Sequence, residues 1–144
     1  MKDMVVLATN GCMVSAIYGV LDVVTAANFC AERRYGKGNF SKVNCQIVTI
    51  DNKPVVGYNG IQIMPTQLLD VGSKQDVVIV SSTVEVVVDC CDGDIDMVQR
   101  EQIKAWLNQS REQGSIIASF CTGSFLLASA GLLAGKVATT HWRS

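Results

Sequence analysis

Cys121 and His141 are the side chains in this sequence best suited to chemistry. One is a thiol whose anion is a strong nucleophile; the other is the only imidazole in the chain, twenty positions further on. Cys121 sits within Ser119-Phe120-Cys121-Thr122-Gly123-Ser124-Phe125. The preceding Ser115 to Phe120 is a short apolar run with β-branched content, and Gly123 to Leu133 is rich in Leu and Ala. The pattern therefore predicts strand, sharp turn and helix, with the thiol at the turn. Unpaired N–H groups and the dipole at such a helix amino end stabilise a thiolate. The N–H of Thr122 is placed to donate to a developing oxyanion, and Gly123 is read as removing bulk beside the sulfur. Taken as packing alone, Cys121 is a small hydrophobe in a tight turn and His141 a hydrogen-bonded residue closing a strand end.

The elements that must position these groups read as alternating strands and helices. Met4 to Ala8 is a buried parallel strand, and Ser15 to Ala31 a helix with Ile17, Val20, Leu21, Val24 and Ala27 on one face. Asn44 to Asp51 is a second strand. Val55 to Gly57 and Ile61 to Met64, separated by Tyr58-Asn59-Gly60, form a small hairpin or flap. Asp76 to Val80 is a further buried strand, while Thr83 to Cys91 is ambiguous between strand and crossover. Asp94 to Gln113 is an amphipathic helix with Val98, Ile103, Trp106 and Leu107 as its apolar face and Gly114 as its stop. Val137 to Thr140 is a last short strand. This rhythm is that of an open, doubly wound α/β sheet, whose ligands bind beyond the carboxyl ends of the strands. Those ends carry Thr9, Asn10, Gly11, Cys12, Ser81, Ser82, Thr83, Cys121, Thr122, His141 and Trp142.

Composition narrows the function. The 144 residues are 49% hydrophobic and 17% charged, the profile of one globular domain with a real core. A net charge of −1 leaves no electrostatic footprint for nucleic acid or anionic membrane. The opening apolar run, Val5 to Ala8, is too short for a signal peptide or a spanning helix, so a cytoplasmic location with no membrane partner is expected. Six cysteines without C-x-x-C spacing are expected as reduced thiols, and with one histidine no metal site is expected, nor any cofactor. Cys90-Cys91 would bridge only with strain. Trp106 and Trp142 fit core or interface, and Asp22 a solvated or dimer-facing carboxylate. His141 to Ser144 follow a strand with no helix to cover it, so the domain over residues 1–144 is expected to be incomplete at its C-terminus.

From Ser119 through Ala128, and on from Ala130-Gly131-Leu132-Leu133-Ala134-Gly135-Lys136 to Ala138-Thr139-Thr140-His141-Trp142, the sequence resembles the ThiJ/PfpI superfamily, with its class I glutamine amidotransferase-like fold. Weaker agreement includes Gly19-Val20-Leu21-Asp22-Val23. Within the superfamily the resemblance is to the amino-terminal domain of AraC-type transcriptional regulators and to isocyanide hydratase-like enzymes.

The resemblance implies a flavodoxin-like three-layer αβα sandwich, usually dimeric, with Cys121 at the elbow and His141 nearby. In the regulators a carboxy-terminal helix-turn-helix domain, absent from these residues, binds DNA, and this domain senses a small molecule or mediates dimerisation. Two departures bear on catalysis. Enzymatic members carry an acid in the first helix, where alignment puts Ala16, and a methyl group relays no proton. They also follow the middle strand with Pro-Gly-Gly, where this chain has Ser81-Ser82-Thr83. The expectation is thus a sensing or dimerisation domain, with Asn10, Gly11, Ser82, Thr122 and Gly123 binding an effector whose identity the sequence does not disclose, and Cys121 and His141 as vestiges of catalysis. The alternative is a cysteine-dependent hydratase or amidase using Cys121. A purely structural dimer module is the third class.

Overall fold

The computed structural model of the chain describes residues 1–83 and 97–141. Cys90, Cys91, Trp142 and most of the ambiguous stretch after Thr83 lie outside the described residues. Four parallel strands form the central sheet: β1 (Lys2–Leu7), β2 (Val43–Val48), β5 (Val77–Val80) and β6 (Ile116–Ser119), in the order β2-β1-β5-β6. A separate antiparallel pair, β3 (Val55–Val56) and β4 (Gln62–Ile63), is the expected flap. The helices are α1 (Val14–Tyr35), α2 (Met97–Glu112) and α3 (Gly123–Ser129).

The side-chain alternation of β1 explains the layers. Val5 and Leu7 pack with Val78 and Val80 of β5 against Ile103, Trp106 and Leu107 of α2 and Leu126 and Leu127 of α3. Val6 and Ala8 point the other way, with Ile47 and Ile79, toward Ile17, Val20 and Leu21 of α1. Successive residues of a strand face opposite sides, so a continuous apolar run is what a sheet covered on both faces requires. The result is the flavodoxin-like αβα sandwich, with α1 on one face and α2 and α3 on the other. Among the described helices α1 alone is long and apolar enough to span a membrane. Here it is the crossover from β1 to β2.

Glycines end the two long helices: Gly114 at the expected stop, and Gly36 after Tyr35, beyond the end expected at Ala31. Gly36 takes φ +84° and donates its N–H to Glu32 O at 2.9 Å, and Gly114 takes φ +85° and donates to Arg111 O at 2.9 Å. The edge strand β2 is closed by side chains. Asn28 Nδ2 donates to Val43 O at 2.8 Å while Asn28 Oδ1 accepts from Val43 N–H at 3.0 Å. Further along, Ile47 N–H donates to Thr66 Oγ1 at 2.8 Å, which occupies groups that would otherwise template another strand.

Four expectations are corrected. Val137 to Thr140 form no strand: Val137 is fully exposed, and the segment pairs with no strand among the described residues, because β propensity makes a strand only against a partner edge. α3 stops at Ser129 instead of Leu133, with Gly131 at φ +74° turning the chain. Val98 is 68% exposed, since at 3.6 residues per turn it falls away from the face shared by Ile103, Trp106, Leu107 and Ser110. Ala27 is exposed, and the neighbouring Asn28 lies on the sheet-facing side and makes the clasp to β2.

Candidate functional site

The sheet reverses its winding between β1 and β5, because α1 carries the chain from β1 to one side and the flap region returns it to the other. A crevice at the carboxyl ends of strands forms at such a switch point. Three segments meet there: the loop after β1, the residues after β5 and the turn after β6.

Cys121 occupies that last turn with φ +54°, one of two non-glycine residues with positive φ among those described. A left-handed backbone costs an L-residue about 1–2 kcal/mol, so the surroundings must impose it. They do so at three points. The Cys121 carbonyl accepts from Ser124 Oγ at 3.0 Å and from Thr140 Oγ1 at 3.1 Å. Thr122 Oγ1 accepts from Thr83 N–H at 3.0 Å and donates to Thr83 O at 2.6 Å, with both residues buried. Gly123 lies directly on the end of β5, where a β-carbon would stand 2.5 Å from Val80 O and 2.7 Å from Ser81 O. The glycine is therefore required by the close approach of α3 to β5. Room beside the sulfur, the reason inferred from sequence, is not what the contacts display.

The Thr122 side chain does not cap α3, being spent on Thr83. The Thr122 N–H has no acceptor within the chain among the described residues. The bond from Thr140 brings the backbone next to half-buried His141 against the elbow.

Asn10, Gly11 and Ser82 are in the same region but are engaged in holding it together. Asn10 Oδ1 accepts from Val56 N–H at 2.9 Å, and buried Gly11, at φ +72°, donates to Val56 O at 2.9 Å, so both tie the flap to the loop after β1. Ser82 is buried and its carbonyl accepts from Met13 N–H at 3.1 Å. Ser81 Oγ donates to Leu7 O at 3.1 Å across β1 and β5. Ala16 stands half-buried in the first turn of α1, at the same edge of the sheet. Thr9 and Thr83, both among the residues expected at the strand ends, have buried hydroxyls with no hydrogen-bond partner among the described residues, which no local pattern in the sequence indicated. No cluster of three or more His, Cys, Asp or Glu residues that would hold a metal occurs among the described residues.

The cysteines differ in accessibility. Cys12 is buried and Cys30 exposed. Burial pushes the Cys12 thiol up, opposed in part by hydrogen bonds from the Thr9 and Cys12 backbone, and burial also raises Cys45. Timed iodoacetamide labelling near pH 7.5, read by peptide mass spectrometry, is expected to modify Cys30 about tenfold or more faster than Cys12, since both thiolate fraction and access fall on burial. Raising the pH speeds Cys12. Equal rates would contradict the packing of the loop after β1.

Comparison with known proteins adds the following. Residues 21–144 match the DJ-1/PfpI family. The chain is 33% identical over 100 residues to the isonitrile hydratase of Pseudomonas putida, a stretch covering 69% of this chain and 40% of that enzyme. It is 34% identical over 95 residues to the HTH-type transcriptional regulator GbdR of Pseudomonas aeruginosa, covering 66% of this chain and 23% of the regulator. The crystal structure of an AraC family transcriptional regulator from Pseudomonas putida superposes with a TM-score of 0.72 at 14% identity, over 94% of this chain and 64% of that one. That last likeness is one of fold. The chain spans less than half the length of either sequence relative.

Proposed function

This chain belongs to the DJ-1/PfpI family, and from that membership we propose that it serves as the ligand-sensing or dimerisation domain of an AraC-family transcriptional regulator. The observation that carries the reading is an elbow kept without its acid. Cys121 takes a left-handed turn, and the family resemblance puts Ala16 where the enzymes carry an acid. The 34% identity to a helix-turn-helix regulator supports the same choice. The carboxyl-edge crevice around Cys121, Thr122 and His141 is the proposed effector site, with Asn10, Gly11, Ser82 and Gly123 shaping it. A net charge of −1 gives this domain no grip on DNA, which a helix-turn-helix domain elsewhere in the parent protein supplies. A homodimer formed through the exposed apolar side chains of α1, such as Val23 and Phe29, fits this role, as does a cytoplasmic location.

A thermal-shift screen of the protein against small metabolites tests the reading. An effector that binds only the folded state at 100 times its Kd stabilises by about 2.7 kcal/mol. Cys121→Ser should change the shift produced by such an effector. Cys121-dependent turnover would overturn the sensor reading.

The 33% identity to an isonitrile hydratase supports the second reading. In it Cys121 attacks an electrophilic carbon, the Thr122 N–H holds the developing anion and His141 moves the proton. That reading predicts isonitrile consumption abolished by Cys121→Ser. We expect none to be consumed by the wild-type chain.

A further inference from the structure

The flap carries Val56, Tyr58 and Ile61 at 48%, 62% and 52% exposure. It meets the start of α1 closely: a β-carbon at Gly57 would collide with Val14 Cγ2. Exposed Met13 and Tyr18 flank that contact in sequence, so this corner of the molecule concentrates uncovered apolar surface, as interaction faces do. β3 and β4 are two residues each, so the flap is held largely by what it is tied to.

Those ties lead back to the thiol. Tyr58 N–H donates to Cys12 O at 3.0 Å, and Gly11 N–H donates to Val56 O at 2.9 Å. Cys12 forms an antiparallel bridge with Thr83, and Met13 N–H donates to Ser82 O at 3.1 Å. Thr83 is held through both its N–H and its carbonyl by the Thr122 hydroxyl, and Thr122 follows Cys121 in the chain. Cys12, Thr83 and Thr122 are all buried, so little water competes along this ladder. At its origin is a residue in a disfavoured backbone conformation, with Gly123 seated on β5 so closely that the turn has no slack on that side.

We propose that Thr122 is a positioning residue that couples occupancy at Cys121 to the flap, so that a group bound at the thiol loosens the apolar face formed by the flap and the start of α1. The proposal rests on the sensing reading and supplies its missing link, the route from effector site to interaction surface. Displacement of the elbow strains the Thr122 to Thr83 contacts first and then the bridge to Cys12. Energetic coupling between sites requires such a connected element that both ends bias.

Iodoacetamide serves as the probe, with amide hydrogen exchange of the full chain as the readout. After Cys121 is carboxamidomethylated, exchange at Met13, whose N–H donates to Ser82 O, and at Val56 and Tyr58 is expected to quicken by about fivefold or more. Cys121→Ser treated identically should not respond, which accounts for the other cysteines. Thr122→Val should abolish the response, and Thr122→Ser, which keeps the hydroxyl, should restore it. If Thr122→Val does not fold, Asn10→Ala is the second variant: it removes the acceptor of the Val56 N–H, leaves the bond from Gly11 to Val56 O, and should silence Val56 while Met13 still responds. Unchanged flap exchange in wild type with Cys121 shown by mass to be modified would overturn the proposal, as would an undiminished response in folded Thr122→Val. The measurement needs neither effector nor DNA, so its failure is distinct from failure of the sensing reading in the thermal-shift screen.

Discussion

Gly123→Ala is expected to lower the urea midpoint of unfolding sharply, with a loss of about 2–6 kcal/mol and an unchanged denaturant slope. A β-carbon at this position would sit 2.5 Å from Val80 O, 2.7 Å from Ser81 O and 3.1 Å from Val80 C. All three are backbone atoms at the end of β5, beside the middle of the sheet, and none can swing aside as a side chain would. Relief requires α3 to lift away from β5. Overpacking of this kind costs about 1–3 kcal/mol, and lifting α3 also strains the buried Thr122 to Thr83 contacts, whose loss leaves polar groups unsatisfied at about 1–3 kcal/mol. Gly19 supplies the opposite case within the same protein. It lies inside α1, where an added β-carbon would meet nothing within 4 Å, so Gly19→Ala should stabilise by roughly 1 kcal/mol through helix propensity. Similar midpoints for the two variants would mean that α3 does not seat on β5 as described.

The second large effect is at Trp106. It is 1% exposed in the cluster joining α2 to β1, β5 and α3, and its indole Nε1 is buried without a hydrogen-bond partner among the described residues. Trp106→Ala opens a large cavity and should cost about 3–5 kcal/mol. Trp106→Phe should cost about 1 kcal/mol or less, because the packing area it loses is offset by removal of an unsatisfied donor that costs about 1–3 kcal/mol where it stands. The two variants, compared by thermal and urea unfolding, separate volume from hydrogen bonding. Equal losses would mean that the indole N–H has a partner whose removal matters.

How much of this was legible in the sequence can be traced residue by residue. The continuous run Met4 to Ala8 announced a strand covered on both faces, and Val5 and Leu7 indeed pack on one side while Val6 and Ala8 pack on the other. Tyr58-Asn59-Gly60 announced the turn of the flap. Ser119 to Phe125 announced the strand, turn and helix around the thiol, and Cys121 takes φ +54° within them. These signals are local: periodicity, turn chemistry and apolar runs act over a few residues, and the backbone obeys them directly. Val137 to Thr140 was misread for the complementary reason. Its β-branched residues favour extension, but a ladder depends on a neighbour that no local pattern specifies.

The site shows the same division. Which residues gather at the carboxyl edge followed from strand order, because a doubly wound sheet brings those loops together whatever their composition. What each residue does there did not follow. Asn10, expected as a ligand contact, also holds Val56 through its side chain; Thr122, expected as a backbone donor, also clasps Thr83 with its side chain. By itself the sequence determined the family, the alternation of elements and the presence of a thiol at a tight turn, because each is written in neighbouring side chains. Only the tertiary structure decided why Gly123 must be glycine, what holds Cys121 in its left-handed turn and how the elbow is tied to the flap. The clasp of Thr122 on Thr83 and the seat of Gly123 on β5 join residues 39 or more positions apart, and they exist only once the sheet has brought β1, β5 and β6 side by side.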